Sequence, residues 1–225
     1  MRVTDITQGR RNLFSVFIDG EFAFSAYEEI LYLHNLRPGE EISCAALAAA
    51  QDEQQKLHAK NRALEILSYG DQSEKTLYTK LVRGGVNQRY AAGAVAYAAQ
   101  RGLVDDARYA EALAKYLFEQ KKYGAQRVRS TLYEKGLDRQ TVDRVLTVAT
   151  EDALALARQT ADAAVEACAP DPVAVLTALL AKEPAEALAD RRLLKKTVDR
   201  LLRRGFRYGD IRAAVRLVTD QTIEE

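Results

Sequence analysis

Any chemistry in this chain must come mainly from its cations. Between Leu188 and Val218 stand Arg191, Arg192, Lys195, Lys196, Arg200, Arg203, Arg204, Arg207, Arg212 and Arg216, against only Asp190, Asp199 and Asp210. Lys196, Arg200, Arg203 and Arg207 step by three and four, which predicts one helix face opposite Val198, Leu201 and Leu202. Lys121, Lys122, Arg127, Arg129 and Lys135 form a second cluster. The stretch 151–187 has the opposite sign, with seven acids against Arg158 and Lys182. A basic face of this kind either contacts phosphate or an acidic protein surface, or is an ordinary solvated helix face. The net charge over 225 residues is only +1, so any basic surface is local.

Other chemistries find little support. His34 and His58 fall on different predicted helices with no third ligand at a metal spacing, which fits packing or surface roles. No glycine-rich phosphate loop or nucleophile elbow occurs. Asp105-Asp106 has the form of a carboxylate pair, but an acid at a helix start reads first as an N-cap with a dipole-favoured neighbour. Cys44 and Cys168 lack any metal or redox spacing and read as reduced, packed, small apolar residues. The expectation is therefore no enzyme, cofactor or metal. The N-terminus lacks an apolar leader core and no apolar run could span a bilayer, so the expected setting is cytoplasmic, without a membrane partner.

The elements that must position the cations are helices, repeated three times. Aligned on Gly85, Gly136 and Gly205, the chain has leucine four residues before each glycine (Leu81, Leu132, Leu201) and an apolar residue directly after (Val86, Leu137, Phe206). Beyond each glycine the same apolar face recurs: Ala91, Ala94, Val95 and Ala98; Val142, Val145, Leu146 and Ala149; Ile211, Ala214, Val215 and Val218. The expected fold is mainly α, a tandem array of three three-helix repeats over 59–103, 104–150 and 151–225. A short N-terminal β-hairpin and helical segment precedes it over 1–58. The third repeat has its first helix over Glu151–Glu166 and an insertion near 170–187 that forms a helix of its own.

Local signals fill in the rest. Asp19-Gly20 between Leu13–Ile18 and Glu21–Ser25 predicts a tight hairpin, with a third strand near Val3–Ile6 as one way to complete it. Ser25 to Glu28 and Asp71 to Glu74 have capping-box form, the first opening a helix through His34. Ser43, Asn87, Asp105 or Asp106, and Asp138 are expected caps. A small helix, a tight turn and a second helix also suit a DNA-reading unit, with Arg207, Tyr208 and Arg212 at the start of the last helix.

Three blocks carry a resemblance to a known family. They are Ala63–Tyr69 with Ser73–Leu77 and Lys80-Leu81; Gly102–Ala110 with Tyr123-Gly124, Arg127-Val128-Arg129, Leu132 and Lys135-Gly136; and Leu201–Phe206 with Ile211. Together they resemble the RecX regulatory proteins, bacterial modulators of the RecA recombinase, over about residues 60–218. Ala125 stands where that family often has proline, and the segment 170–187 is additional. The resemblance implies three tandem three-helix repeats and no catalysis. It also implies binding in the groove of the recombinase filament on single-stranded DNA, altering ATP hydrolysis, strand exchange and co-protease activity, most simply by inhibition. The contact residues expected are Arg127, Arg129 and Lys135 from the second repeat, and Lys196, Arg200, Arg203, Arg204 and Arg207 from the third. Arg108 is expected to pair with the acids at its helix start. A monomer suffices for such an array. The alternative is a helical protein that binds DNA without the recombinase.

Overall fold

The computed structural model describes residues 1–9, 12–148, 171–183 and 191–223. The chain divides into two compact units, residues 1–71 with 77–104, and residues 72–76 with 105 onward.

The first unit opens with a three-stranded antiparallel sheet: β1 (Val3–Gln8), β2 (Leu13–Ile18) and β3 (Glu21–Tyr27), in that spatial order. Asp19 and Gly20 both have positive φ, 50° and 88°, as the tight hairpin requires. The additional strand is β1, which pairs with β2 edge to edge; Val16 and Ile18 pack with Val3, Ala26, Ile30, Leu36, Ile42 and Ala50. Helix α1 (Glu28–Leu33) starts later than its capping signal suggests. Ser25 pairs with Ser15, and Tyr27 with Leu13, so ladder hydrogen bonding keeps the backbone extended as far as Tyr27. No side chain of its own caps α1; the buried Gln54 side chain instead accepts the Tyr27 N–H at 2.8 Å.

Helix α2 (Cys44–Ser68) begins at Ser43, whose hydroxyl accepts the Ala46 N–H, and runs unbroken across residues 58–59. Its first half meets the sheet through Ala50. Its second half meets α3 (Glu74–Arg83) and α4 (Gln88–Gln100), where Ala59 and Ala63 pack with Leu77, Leu81, Val86, Ala91, Ala94 and Val95. Small residues on α2 and α4 let these helices approach closely. The cap of α3 is Ser73 rather than Asp71: its hydroxyl accepts the Thr76 N–H at 3.2 Å.

The second unit holds α5 (Asp106–Glu119), α6 (Ala125–Glu134), α7 (residues 139–148), α8 (Pro172–Leu180), α9 (Arg191–Arg203) and α10 (Tyr208–Ile223). Phe118, Val128, Leu132, Val142 and Leu146 form one core, and Leu176, Leu180, Leu201, Phe206, Ile211 and Ala214 another. In the latter, α8 supplies the apolar face that Ala59 and Ala63 of α2 supply to α3 and α4. The helix expected within the 170–187 segment is thus Pro172–Leu180. The expected helix at 151–166 lies outside the described residues.

The three aligned glycines have the same conformation, φ +89°, +87° and +88° at Gly85, Gly136 and Gly205. After each, the N–H of the apolar residue donates back to the leucine carbonyl: Val86 to Leu81 at 3.1 Å, Leu137 to Leu132 and Phe206 to Leu201 at 3.3 Å. All six of these apolar side chains are buried. This is the left-handed helix stop, in which the residue beyond the glycine packs on the last turn. It gives the leucine–glycine–apolar spacing its physical cause.

Candidate functional site

Five of the eight cations singled out from the sequence meet at one cleft of about 1060 Å³ in the second unit. Arg127 comes from the first turn of α6, Lys196, Arg200 and Arg203 from α9, and Arg204 from the turn that follows. Tyr123, Leu193 and Thr197 complete the wall, and Glu183, just beyond α8, is an acid among these cations.

A backbone contact gathers them. The Gly124 N–H donates to the Arg204 carbonyl at 2.8 Å. A Cβ at Gly124 would fall on the Gly205 carbonyl, and one at Gly205 would fall on the backbone nitrogen of Arg127. Two glycines therefore let the start of α6 lie against the turn after α9. Arg127 is thereby brought beside Arg204 and the last turns of α9. Arg200 and Arg203 sit in the last turn of α9, where a helix dipole favours cations. Arg127 sits where the dipole disfavours one, and the first turn of α6 has no acid to offset it.

Arg127, Lys196, Arg200 and Arg203 are exposed, Arg204 is half-buried, and the five differ in their commitments. Arg200 is paired with Glu183. The Arg203 Nε donates to the Asp199 carbonyl at 3.2 Å. Among the described residues, Arg127, Lys196 and Arg204 have no ion-pair partner.

The other three lie outside the cleft lining. Arg129 reaches Asp143 of α7 at 3.5 Å. Lys135 precedes Gly136, and its carbonyl accepts the Ser73 hydroxyl at 2.6 Å. Arg207 is exposed in the turn before α10. The helix face read through Arg207 stops at Arg203, because the left-handed turn at Gly205 ends α9. Its buried side is Leu194, Thr197, Val198 and Leu201, whereas Leu202 is 40% exposed. Neither Thr197 nor Glu183 was apparent as a cleft residue from the sequence. Tyr123 carried a signal only through the Tyr123-Gly124 pair of the family pattern.

The remaining candidates have structural work. Asp105 caps α5, accepting the N–H groups of Ala107 and Arg108 at 2.9 and 3.0 Å. The Arg108 N–H, with that of Ala107 and the Arg108 charge, holds the Asp105 carboxyl below the usual carboxylate range. Asp106 accepts the Glu74 N–H at 2.9 Å, so the two carboxylates serve the starts of two different helices. Asp138 caps α7, and the Thr141 hydroxyl and N–H lower its pKa in the same way. His34 ends α1, and His58 of α2 lies with Nδ1 3.2 Å from the Tyr27 hydroxyl. Cys44 is free and exposed at the start of α2, not packed in a core, because six residues before Ala50 it lies about 120° round the helix from the contact Ala50 makes with the sheet. Cys168 lies outside the described residues. Among the described residues, no three His, Cys, Asp or Glu side chains are grouped to hold a metal, and no helix is long and apolar enough to cross a membrane.

Comparison with known proteins matches two family descriptions. Residues 105–146 match the second three-helix domain of RecX, and residues 1–43 match the N-terminal domain of regulatory protein RecX. The regulatory protein RecX of Clostridioides difficile is 30% identical over 152 residues, covering 67% of this chain and 71% of that protein. That of Clostridium acetobutylicum is 28% identical over 137 residues, covering 61% and 63%. A crystal structure of a regulatory protein RecX superposes at a TM-score of 0.57 with 22% identity, over 97% of this chain and 98% of its own, and so shares the fold. With the mainly helical repeats, the N-terminal sheet and these matches together, the chain belongs to the RecX family of regulatory proteins.

Proposed function

We propose that this protein is a non-enzymatic regulator that docks into the RecA filament on single-stranded DNA. In this reading it inhibits ATP hydrolysis, strand exchange and co-protease activity, acting as a cytoplasmic monomer. The observation that carries the reading is the convergence of Arg127, Lys196, Arg200, Arg203 and Arg204 on one cleft. Exposed single charges bind polyanions weakly, but five in one concavity add their fields and release several counterions together. Arg207, exposed beyond Gly205, and Arg129 and Lys135 of the second repeat extend the proposed contact surface.

Titration into a recombinase ATPase assay with single-stranded DNA, beside a gel shift on the same DNA alone, tests this. ATPase inhibition is expected at protein concentrations that leave free DNA mostly unshifted. Tight, salt-sensitive binding to naked DNA with no effect on the ATPase would instead establish a DNA-binding protein that acts without the recombinase.

A further inference from the structure

Glu183 is set into the basic cleft by the fold itself. Its N–H donates to the Leu180 carbonyl at 2.9 Å in the turn that ends α8. Leu180 is fixed in the core with Leu201 and Phe206, so the turn cannot drift from α9 without opening that core. The Glu183 carboxylate pairs with the Arg200 guanidinium. Of the two side chains the acid is the more shielded, 25% exposed against 50% for Arg200. An acid held in this way is a built part of the cleft wall, unlike an exposed pair between two free side chains on one helix.

We propose that Glu183 is a selectivity residue: it holds Arg200 back from the phosphodiester backbone of a free single strand. The inference rests on reading the cleft as the part of the filament-docking surface that faces DNA. A guanidinium grips phosphate by presenting an edge with two N–H groups. At Arg200 the Glu183 carboxylate already takes a donor of Nη2, a nitrogen shared by both two-pronged edges of the guanidinium, so an arriving phosphate must displace that carboxylate or lie beside its negative charge. Arg127, Lys196 and Arg204 still attract the strand. The cleft thus binds DNA through fewer contacts than its cation count allows, and tight binding needs additional contacts from the recombinase protein. Specificity for the filament over naked DNA then comes partly from a repulsive element.

The test uses the full chain and a fluorescein-labelled oligo(dT), with anisotropy read over a salt series and thermal melting as the folding control. Glu183→Gln keeps the side-chain shape and removes the charge. It is expected to tighten binding about fivefold, the upper range for one exposed ion pair, and to steepen the slope of log affinity on log salt by about 0.7, one further phosphate contact on a single strand. In an Arg200→Gln background the same substitution is expected to gain nothing. Unchanged affinity and slope in Glu183→Gln would overturn the proposal, and that is also what an acidic protein segment as the occupant of the cleft would give. An equal gain with and without Arg200 would overturn it too, because Glu183 would then act as a general charge. Recombinase ATPase run in parallel separates the two claims: a wild-type protein inert on the ATPase sinks the filament reading, while the oligo(dT) series still decides the role of Glu183.

Discussion

Two places in the second unit solve the same joining problem by different means. In each, the start of a helix meets the residue before a turn glycine. At the first, the Ser73 hydroxyl donates to the Lys135 carbonyl, and the side chain of Lys75 lies over Gly136. At the second, the Gly124 N–H donates to the Arg204 carbonyl, and Gly205 lies directly on the backbone of Arg127. Lys135 and Arg204 occupy the same position relative to their glycines, as do Ser73 and Gly124. The first contact is made by side chains, the second by bare backbone. At the second contact the two backbones meet directly, and the cations collect there. The repeat geometry is thus shared, while the cleft depends on a local departure from it.

Alanine at each of the three turn glycines separates the cost of the turn from the cost of the contact. Gly205→Ala is expected to have the largest effect, about 2–4 kcal/mol of stability, because a strained positive φ is added to overlap with backbone that cannot yield. Gly136→Ala has the same φ to within a degree and meets only the Lys75 side chain, whose outer carbons can swing aside although its Cβ moves only with the helix, and about 1–3 kcal/mol is expected. Gly85→Ala has nothing within 4 Å of the new carbon, so it reports the φ strain alone, about 1 kcal/mol. Chemical denaturation of the three variants gives the order. Equal losses would mean that backbone contact at Gly205 contributes nothing beyond the turn.

Ser73 is fully buried, and Ser73→Ala removes both a helix cap and the bond to Lys135, for about 1 kcal/mol in the same denaturation series. The acid caps give a pH dependence. The folded-state pKa values of Asp105 and Asp138 are lowered, so their stabilisation is present above the unfolded value, near 4, and is lost as pH falls through the folded value. A variant with Asp105→Asn and Asp138→Asn keeps side chains able to cap and removes the titration. Its melting temperature should fall less steeply than that of the wild type below about pH 4. An identical acid profile would show that these carboxylates do not set the acid response.

Much of the helical repeat was legible because its stop signal is local. Leucine, glycine and an apolar residue at fixed spacing are what a left-handed helix end needs, so Gly85, Gly136 and Gly205 could be aligned without coordinates. The start of α1 was not legible from Ser25 to Glu28, because pairing with β2 overrides a local capping pattern. The basic residues were visible as a cluster, but their meeting point was not. Gly124 reads locally as a helix break, and nothing near it in sequence indicates that it will lie on Gly205. Glu183 is one acid in an acidic stretch until α8 packs beside α9. Arg207 was placed on the face of α9 only by carrying the helical period through a glycine that ends it.

The proposed action of the cleft is on the recombinase filament. Its most direct measurement is the ATPase titration of a protein carrying Arg203→Glu and Arg204→Glu beside the wild type, with circular dichroism of both. An unchanged helical spectrum and at least about a tenfold rise in the concentration needed for inhibition are expected, since two attractive contacts become repulsive. A folded variant that inhibits at the wild-type concentration would contradict it.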